Sequence, residues 1–129
     1  MDTYLKQNEI WLDNVQGYWK EDLLSVQNNV DEIKDRFYKS LEFGTGGLRG
    51  IIGSGTNRMN IYTVRKTSYG LAQYVVSKNP NAKIAISYDS RKFSYEFAHA
   101  AAEVFASLGI KAYIFSTLNP TPLLSFAVR

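Results

Sequence analysis

Several residue types that carry enzyme chemistry are absent or scarce in this chain of 129 residues. It has no cysteine, which excludes disulfides, thiolate metal sites and cysteine nucleophiles. It has one histidine, His99, so a multi-histidine metal site cannot form within it. No apolar run approaches the ~20 residues that span a bilayer, and the opening residues lack a signal-peptide pattern. We therefore expect a reduced, cytoplasmic domain with no membrane partner.

Acidic side chains are scarce after residue 42. Residues 1–42 carry a net charge of −4, whereas residues 43–129 carry +7 and only three acids, Asp89, Glu96 and Glu103. A basic body favours an anionic ligand, although a solvated basic surface explains the charge equally simply. Nucleic acid is not expected as the partner, because the basic residues are not interleaved with exposed aromatic ones.

The first forty residues are predicted to form a helical leader. Their apolar residues recur at helical spacing, and Gly17 interrupts the first run. Val30, Ile33 and Phe37 mark a further short helix, with Asn28 or Asn29 placed to cap it. We accordingly divide the chain into a leader, residues 1–40, and a domain, residues 41–129.

Strands and helices alternate after the leader. Strands are predicted over residues 41–43, 51–52, 83–88 and 110–115, and helices over residues 61–78 after Asn60, 94–108 before Gly109, and from Leu123 to Arg129. This alternation predicts an α/β fold with a mostly parallel mixed sheet sandwiched by helices. Gly70, inside a helix, suggests close packing there. Since the last helix has barely one turn, we expect the domain to be incomplete at its carboxyl end.

Ligands of open α/β sheets bind at the carboxyl ends of the strands, where three loops are predicted: residues 44–50, 89–91 and 119–122. The first loop reads Gly-Thr-Gly-Gly-Leu-Arg-Gly, in which glycines let backbone N–H groups approach an anion. Arg49 adds a planar cation that suits phosphate. The string is neither a Walker loop nor a dinucleotide fingerprint, and a tight structural turn explains its composition as well.

The second loop, Asp89-Ser90-Arg91, places an acid and an arginine two residues apart after a buried-type strand. The two side chains can orient each other, although a surface ion pair is an equally simple interpretation. His99 is expected on the exposed side of its helix and outside any catalytic group. Residues 53–58 are expected to form a structural hairpin tip.

Four separated motifs together resemble one family. The strings at residues 41–50, 55–60, 86–91 and 121–122 are similar, in order and spacing, to the amino-terminal domain of the α-D-phosphohexomutases. The phosphoglucomutase/phosphomannomutase type, with its helical leader, is the most similar branch. The resemblance implies a truncated first domain of a four-domain enzyme, an intramolecular phosphotransferase. Such enzymes interconvert hexose 1-phosphate and hexose 6-phosphate through a phosphoserine and a bisphosphate intermediate.

The resemblance also implies roles for individual residues. Arg49 matches an arginine beside the phosphoserine, which supports phosphoryl transfer. The substrate and phosphate loops would contain Thr45, Gly46, Gly47, Asp89, Ser90 and Arg91. The implied cofactor is Mg²⁺, whose ligands lie outside this chain, together with a glucose 1,6-bisphosphate-type activator. The implied partners are a hexose phosphate and the remaining domains of the polypeptide.

The sequence departs from the family pattern by what it does not contain. It has neither a Ser-His-Asn-Pro-like phosphoserine loop nor an Asp-Gly-Asp-like metal loop. We therefore expect no metal site in this chain, and no mutase activity from the chain alone. Two alternatives stay open at this point: a phosphopentomutase of the same superfamily, and a non-catalytic phosphate-binding or interaction module.

Overall fold

The computed structural model describes residues 3–41, 47–48, 50–117 and 124–128. In chain order its elements are α1 (Thr3–Asn14), α2 (Tyr18–Leu24), α3 (Val30–Phe37), β1 (Gly47–Leu48), α4 (Ile61–Lys78), β2 (Lys83–Tyr88), α5 (Ser94–Ser107), β3 (Lys111–Ser116) and β4 (Leu124–Val128). The helical leader is thus confirmed as three helices. Among the helices described, none combines the length and apolar character needed to cross a bilayer.

The chain divides into two compact units. The first contains Met1–Glu42 and Gly50–Thr63, and the second contains Phe43–Arg49 and Val64–Arg129. The first unit joins residues from both sides of position 40, and the division into a leader and a domain at that position stays a prediction.

Local signals in the sequence set the helix boundaries of the first unit. Gly17 has a φ of 62°, a left-handed conformation that separates α1 from α2. Asn29 caps α3, because its side-chain oxygen accepts a hydrogen bond from the Glu32 N–H at 3.1 Å. Ile33 and Phe37 lie on the buried face of α3, as their spacing predicts.

A buried arginine connects three segments of the first unit. Arg36 donates hydrogen bonds to Asp22 at 2.6 Å, to Glu32 at 3.0 Å and to the Ser54 carbonyl at 3.1 Å. Its side chain is only 9% exposed. Burial by itself would lower the pKa of Arg36, but the hydrogen bonds and charges of Asp22 and Glu32 outweigh it and raise that pKa. The guanidinium therefore stays charged at every pH at which the protein is folded.

The segment predicted as a hairpin tip is a buried polar turn. Arg58 is 3% exposed and pairs with the Asp35 carboxylate. Asn60 is fully buried, and its amide nitrogen donates to the carbonyls of Gly53 at 2.8 Å and Gly55 at 3.0 Å. The expected structural role of this segment is confirmed, and its means are buried hydrogen bonds.

Asn60 also begins α4. Its side-chain oxygen accepts hydrogen bonds from the backbone N–H groups of Tyr62 at 3.0 Å and Thr63 at 2.9 Å. These N–H groups belong to the first turn and have no partner within the helix. The predicted cap is therefore confirmed. Close packing at Gly70 is not, because a Cβ added there would meet nothing within 4 Å.

The second unit is built on a four-stranded mixed sheet with the strand order β1-β4-β2-β3. β2 and β3 are parallel, with Lys83 opposite Lys111 and Tyr88 opposite Ser116. β4 is antiparallel to both β1 and β2. The predicted α/β fold with a mixed sheet is confirmed, but only one of the three described strand pairs is parallel.

α5 covers the sheet with its apolar side. Phe97, Ala101 and Phe105 are fully buried, and the Phe105 ring meets Phe126 of β4 edge-on at 5.8 Å. Gly109 ends the helix with a φ of 80°, as expected for a glycine after a helix. The predicted helix over residues 94–108 and the strand over residues 110–115 are thus confirmed to within one residue.

Two of the predicted elements are wrong. The helix from Leu123 to Arg129 is instead strand β4, since so short a helix is marginal whereas β4 pairs on both sides and buries Leu124 completely. Residues 51–52 form no strand, and Ile52 makes only an isolated bridge with Met59. The strand predicted over residues 41–43 and the turn over 119–122 lie outside the described residues, except for Leu41, which is not in a strand.

The close approach of Gly55 to Arg36 gives a test of the first unit. Gly55 has a φ of 129°, and a Cβ there would lie 2.7 Å from the Arg36 carbonyl oxygen. Gly55→Ala should therefore lower the free energy of unfolding by more than about 1 kcal/mol. Urea denaturation followed by circular dichroism measures this change.

Gly70→Ala is the matched control for the same substitution. Gly70 is exposed within α4 and has open space around it, so Gly70→Ala should raise the free energy of unfolding by about 0.5–1 kcal/mol. Equal effects of the two variants would contradict the packing described at Gly55.

Candidate functional site

Three strands of the sheet end at the same edge. β4 is antiparallel to β1 and β2, and its Leu124 lies opposite both Leu48 and Tyr88. β3 runs parallel to β2 and ends at Ser116, opposite Tyr88. We call this side of the sheet, defined by Leu48, Tyr88, Ser116 and Leu124, the carboxyl edge. It is the part of an open α/β sheet at which ligands bind.

The loops predicted to bind a ligand continue from this edge along the chain. Arg49 directly follows Leu48, and Asp89 directly follows Tyr88. Gly47 is described as a residue of β1. Thr45, Gly46 and Arg49 lie outside the described residues, so their predicted roles stay predictions.

The Asp89–Arg91 loop is held by its own side chains. The Asp89 carboxylate accepts a hydrogen bond from the Arg91 backbone N–H at 3.0 Å. Its other oxygen, Oδ2, lies 3.1 Å from Arg91 Nε. The Asp89 N–H in turn donates to the Ser94 hydroxyl at 3.2 Å, where α5 begins. The acid and the arginine therefore orient each other, while Ser90 between them is exposed.

The two partners differ strongly in exposure. The Asp89 side chain is 9% exposed, whereas the Arg91 side chain is 50% exposed. The contact from Arg91 Nε is close enough for an ion pair but is not aligned as a hydrogen bond, so Asp89 Oδ2 accepts none from the described residues. Nor does any described residue accept a hydrogen bond from the Arg91 Nη atoms. The loop thus presents a positive group to solvent from a buried negative base.

The start of α5 contains an unusual backbone conformation. Phe93, directly before the helix, has a φ of 69°, which is rare for a bulky residue. Its ring stacks on Phe97 at a centroid distance of 6.0 Å, and the Lys92 ammonium lies 5.2 Å from the Phe93 ring centroid. Strained residues of this kind concentrate at ligand sites and switches. No glycine or asparagine in the sequence signals this turn.

Sequence reasoning missed the anchoring role of Ser94. Its side chain is fully buried beneath the loop, and the only signal for it is a serine at a helix start. His99, by contrast, is exposed as expected, with its ring 4.3 Å from that of Tyr95.

The described residues do not fit the Mg²⁺ ion that the family resemblance implies. Magnesium takes an octahedral set of oxygen ligands. Among the residues with a described structure, no three His, Asp or Glu side chains cluster. Asp89 already pairs with Arg91. No chemical step is therefore assigned to a metal held by these residues.

Comparisons with known proteins point to one family. The family model of phosphoglucomutase/phosphomannomutase, alpha/beta/alpha domain I, matches residues 40–129. A phosphoglucomutase of Staphylococcus haemolyticus is 45% identical over 93 residues, which cover 72% of this chain and 17% of the relative. A phosphoglucomutase of Staphylococcus epidermidis is 40% identical over 119 residues, covering 92% of this chain and 22% of the relative. The chain thus spans about a fifth of the length of the curated relatives it matches. No solved structure matches it.

The anchoring of the Asp89–Arg91 loop can be tested at Ser94. Ser94→Ala leaves the buried Asp89 N–H without its hydroxyl acceptor, so it should lower the free energy of unfolding by about 1–3 kcal/mol. Urea denaturation measures the change. Ser107→Ala, at the exposed end of the same helix, should change it by less than about 0.5 kcal/mol. A Ser94 effect no larger than the Ser107 effect would contradict the anchor.

Proposed function

The chain belongs to the phosphoglucomutase/phosphomannomutase family, and from this premise we propose that its protein interconverts hexose 1-phosphate and hexose 6-phosphate. The observation that carries the proposal is the carboxyl edge, where one strand leads into Arg49 and another into the Asp89–Arg91 loop. The curated relatives are named phosphoglucomutase, which favours a hexose over a pentose. The proposal concerns the whole protein, of which this chain supplies one wall of the phosphate site.

The proposed reaction is phosphoryl transfer in two directions. A phosphoserine in another part of the protein gives its phosphoryl group to a hydroxyl oxygen of the hexose monophosphate. The serine O–P bond breaks, a sugar O–P bond forms, and the hydroxyl proton is released. The resulting bisphosphate reorients and returns its other phosphoryl group to the serine, with the bonds exchanged in the opposite sense. The product is the isomeric monophosphate.

The chain's own residues would position and stabilise the transferring group. Such transfers need alignment and charge stabilisation rather than covalent chemistry from side chains. Arg49 would fork onto phosphoryl oxygens, and the backbone N–H groups of Thr45, Gly46 and Gly47 would donate to them. Each charge-assisted hydrogen bond of this kind contributes about 1.5–3 kcal/mol.

The remaining components belong to the rest of the polypeptide in this proposal. Mg²⁺ would neutralise charge on the transferring phosphoryl, held by residues outside this chain. A glucose 1,6-bisphosphate-type activator would prime the serine. The hexose phosphate would be enclosed between this chain and the remaining domains, in the cytoplasm. The chain alone would then lack the covalent step and be inactive.

A coupled assay of the whole protein tests the proposed function. With Mg²⁺ and glucose 1,6-bisphosphate present, the protein should turn over glucose 1-phosphate or mannose 1-phosphate faster than ribose 1-phosphate. The purified 129-residue chain should turn over none of the three. Preference for ribose 1-phosphate would instead identify a phosphopentomutase. A folded whole protein without turnover on any of them would contradict the mutase and leave the phosphate-binding module.

Arg49 provides a residue-level test of the same proposal. In the whole protein, Arg49→Lys keeps the charge but removes the two-pronged geometry, so kcat should fall by about 100-fold. Arg65→Lys, an exposed position of α4, is the matched control and should leave kcat unchanged. Unaltered kinetics in a correctly folded Arg49→Lys protein would remove Arg49 from the transfer step.

A further inference from the structure

We propose that Asp89 is a positioning residue that holds Arg91 as a preformed phosphoryl-binding arm at the carboxyl edge. This inference rests on the proposed function and adds to it the residue that binds a phosphoryl group of the sugar phosphate and the residue that aims it. Neither the strand order nor the Arg49 loop requires this assignment.

The first argument is the geometry of the pair. One Asp89 oxygen fixes the backbone of Arg91 at 3.0 Å, and the other lies 3.1 Å from Nε on the same residue. The carboxylate therefore constrains both where the arginine starts and which way its side chain leaves the loop. An arginine held at its Nε keeps its two Nη groups available as a planar fork.

The second argument is the asymmetry of burial. An ordinary surface ion pair has two exposed partners and contributes ~0–1 kcal/mol. Here the acid side chain is 9% exposed and the arginine 50% exposed. Burying a carboxylate is costly, and Oδ2 gains no aligned hydrogen bond from the described residues in return. An arrangement that costs stability and orients an exposed cation is expected at a binding site.

The third argument is the place of the arm in the sheet. The Asp89–Arg91 loop leaves β2 at the edge where β1 leads into Arg49. The Asp89 N–H is tied to the buried Ser94 hydroxyl, so the loop is anchored to α5. A guanidinium fork matches two oxygens of one phosphoryl group, and a preformed fork loses little freedom on binding. The ligand chemistry is therefore the phosphoryl group of a sugar phosphate.

The test is a double-mutant cycle in the whole protein. Arg91→Ala should raise KM for the turned-over sugar 1-phosphate about tenfold, equal to about 1.4 kcal/mol, with kcat within about twofold. Asp89→Asn keeps an oxygen acceptor for the Arg91 N–H but removes the charge opposite Nε, so KM should rise several-fold. The double variant should be no worse than Arg91→Ala, because Asp89 acts through Arg91. The inhibition constant of inorganic phosphate should follow the same order.

Controls separate positioning from loss of fold. Glu103→Gln and Arg65→Ala, at exposed positions on α5 and α4, should leave KM unchanged. Urea denaturation identifies any loss of stability in the Asp89 variant. Unchanged KM in Arg91→Ala, or independent effects of the two substitutions, would overturn the inference while the mutase activity itself stands.

Failure of the proposed function would be recognised separately. If the wild-type protein is folded but inactive on all sugar phosphates, calorimetric titration with glucose 1,6-bisphosphate replaces the kinetic measurement. The same order of affinities across the cycle would support the arm. Equal affinities in all variants, or no binding to wild type, would overturn it.

Discussion

The buried guanidinium of Arg36 is the interaction on which the first compact unit depends. It ties Asp22 of α2 and Glu32 of α3 to the Ser54 carbonyl, and the Arg36 carbonyl accepts a hydrogen bond from the Asn57 N–H at 2.9 Å. Replacing such a network by apolar residues is often neutral for stability, so its value lies in fixing one arrangement of these segments. Because Asn60 follows within the same unit and begins α4, the network also determines where that helix starts.

Much of the fold was predictable from local patterns. Asn29, Asn60 and Gly109 mark helix ends because capping chemistry depends on neighbouring residues alone. The β4 segment was not predictable in this way, since a short apolar run suits a helix or a strand until its partner is known. Its partner is β2, which lies about forty residues earlier in the chain. The pairing of Arg58 with Asp35 is non-local in the same sense and has no periodic signature.

The candidate site was predictable to a different depth. Its place at the carboxyl ends of strands follows from α/β topology, and the spacing of Asp89 and Arg91 allowed their contact. The difference in burial between them is a property of the packed structure, as is the left-handed Phe93. The roles of Thr45, Gly46 and Arg49 come from family resemblance and stay predictions. The structure contributes the common edge at which the strands that lead to Arg49 and Asp89 end.

The central claim is that this edge handles phosphoryl groups, and hydrogen–deuterium exchange of the whole protein tests it most directly. With saturating glucose 1,6-bisphosphate, the account predicts slower exchange in peptides covering residues 45–50 and 89–94. Peptides covering α3, whose amides are protected by the helix and which contains Arg36, should be unchanged. Binding with unchanged exchange in both peptides of the edge would contradict the account.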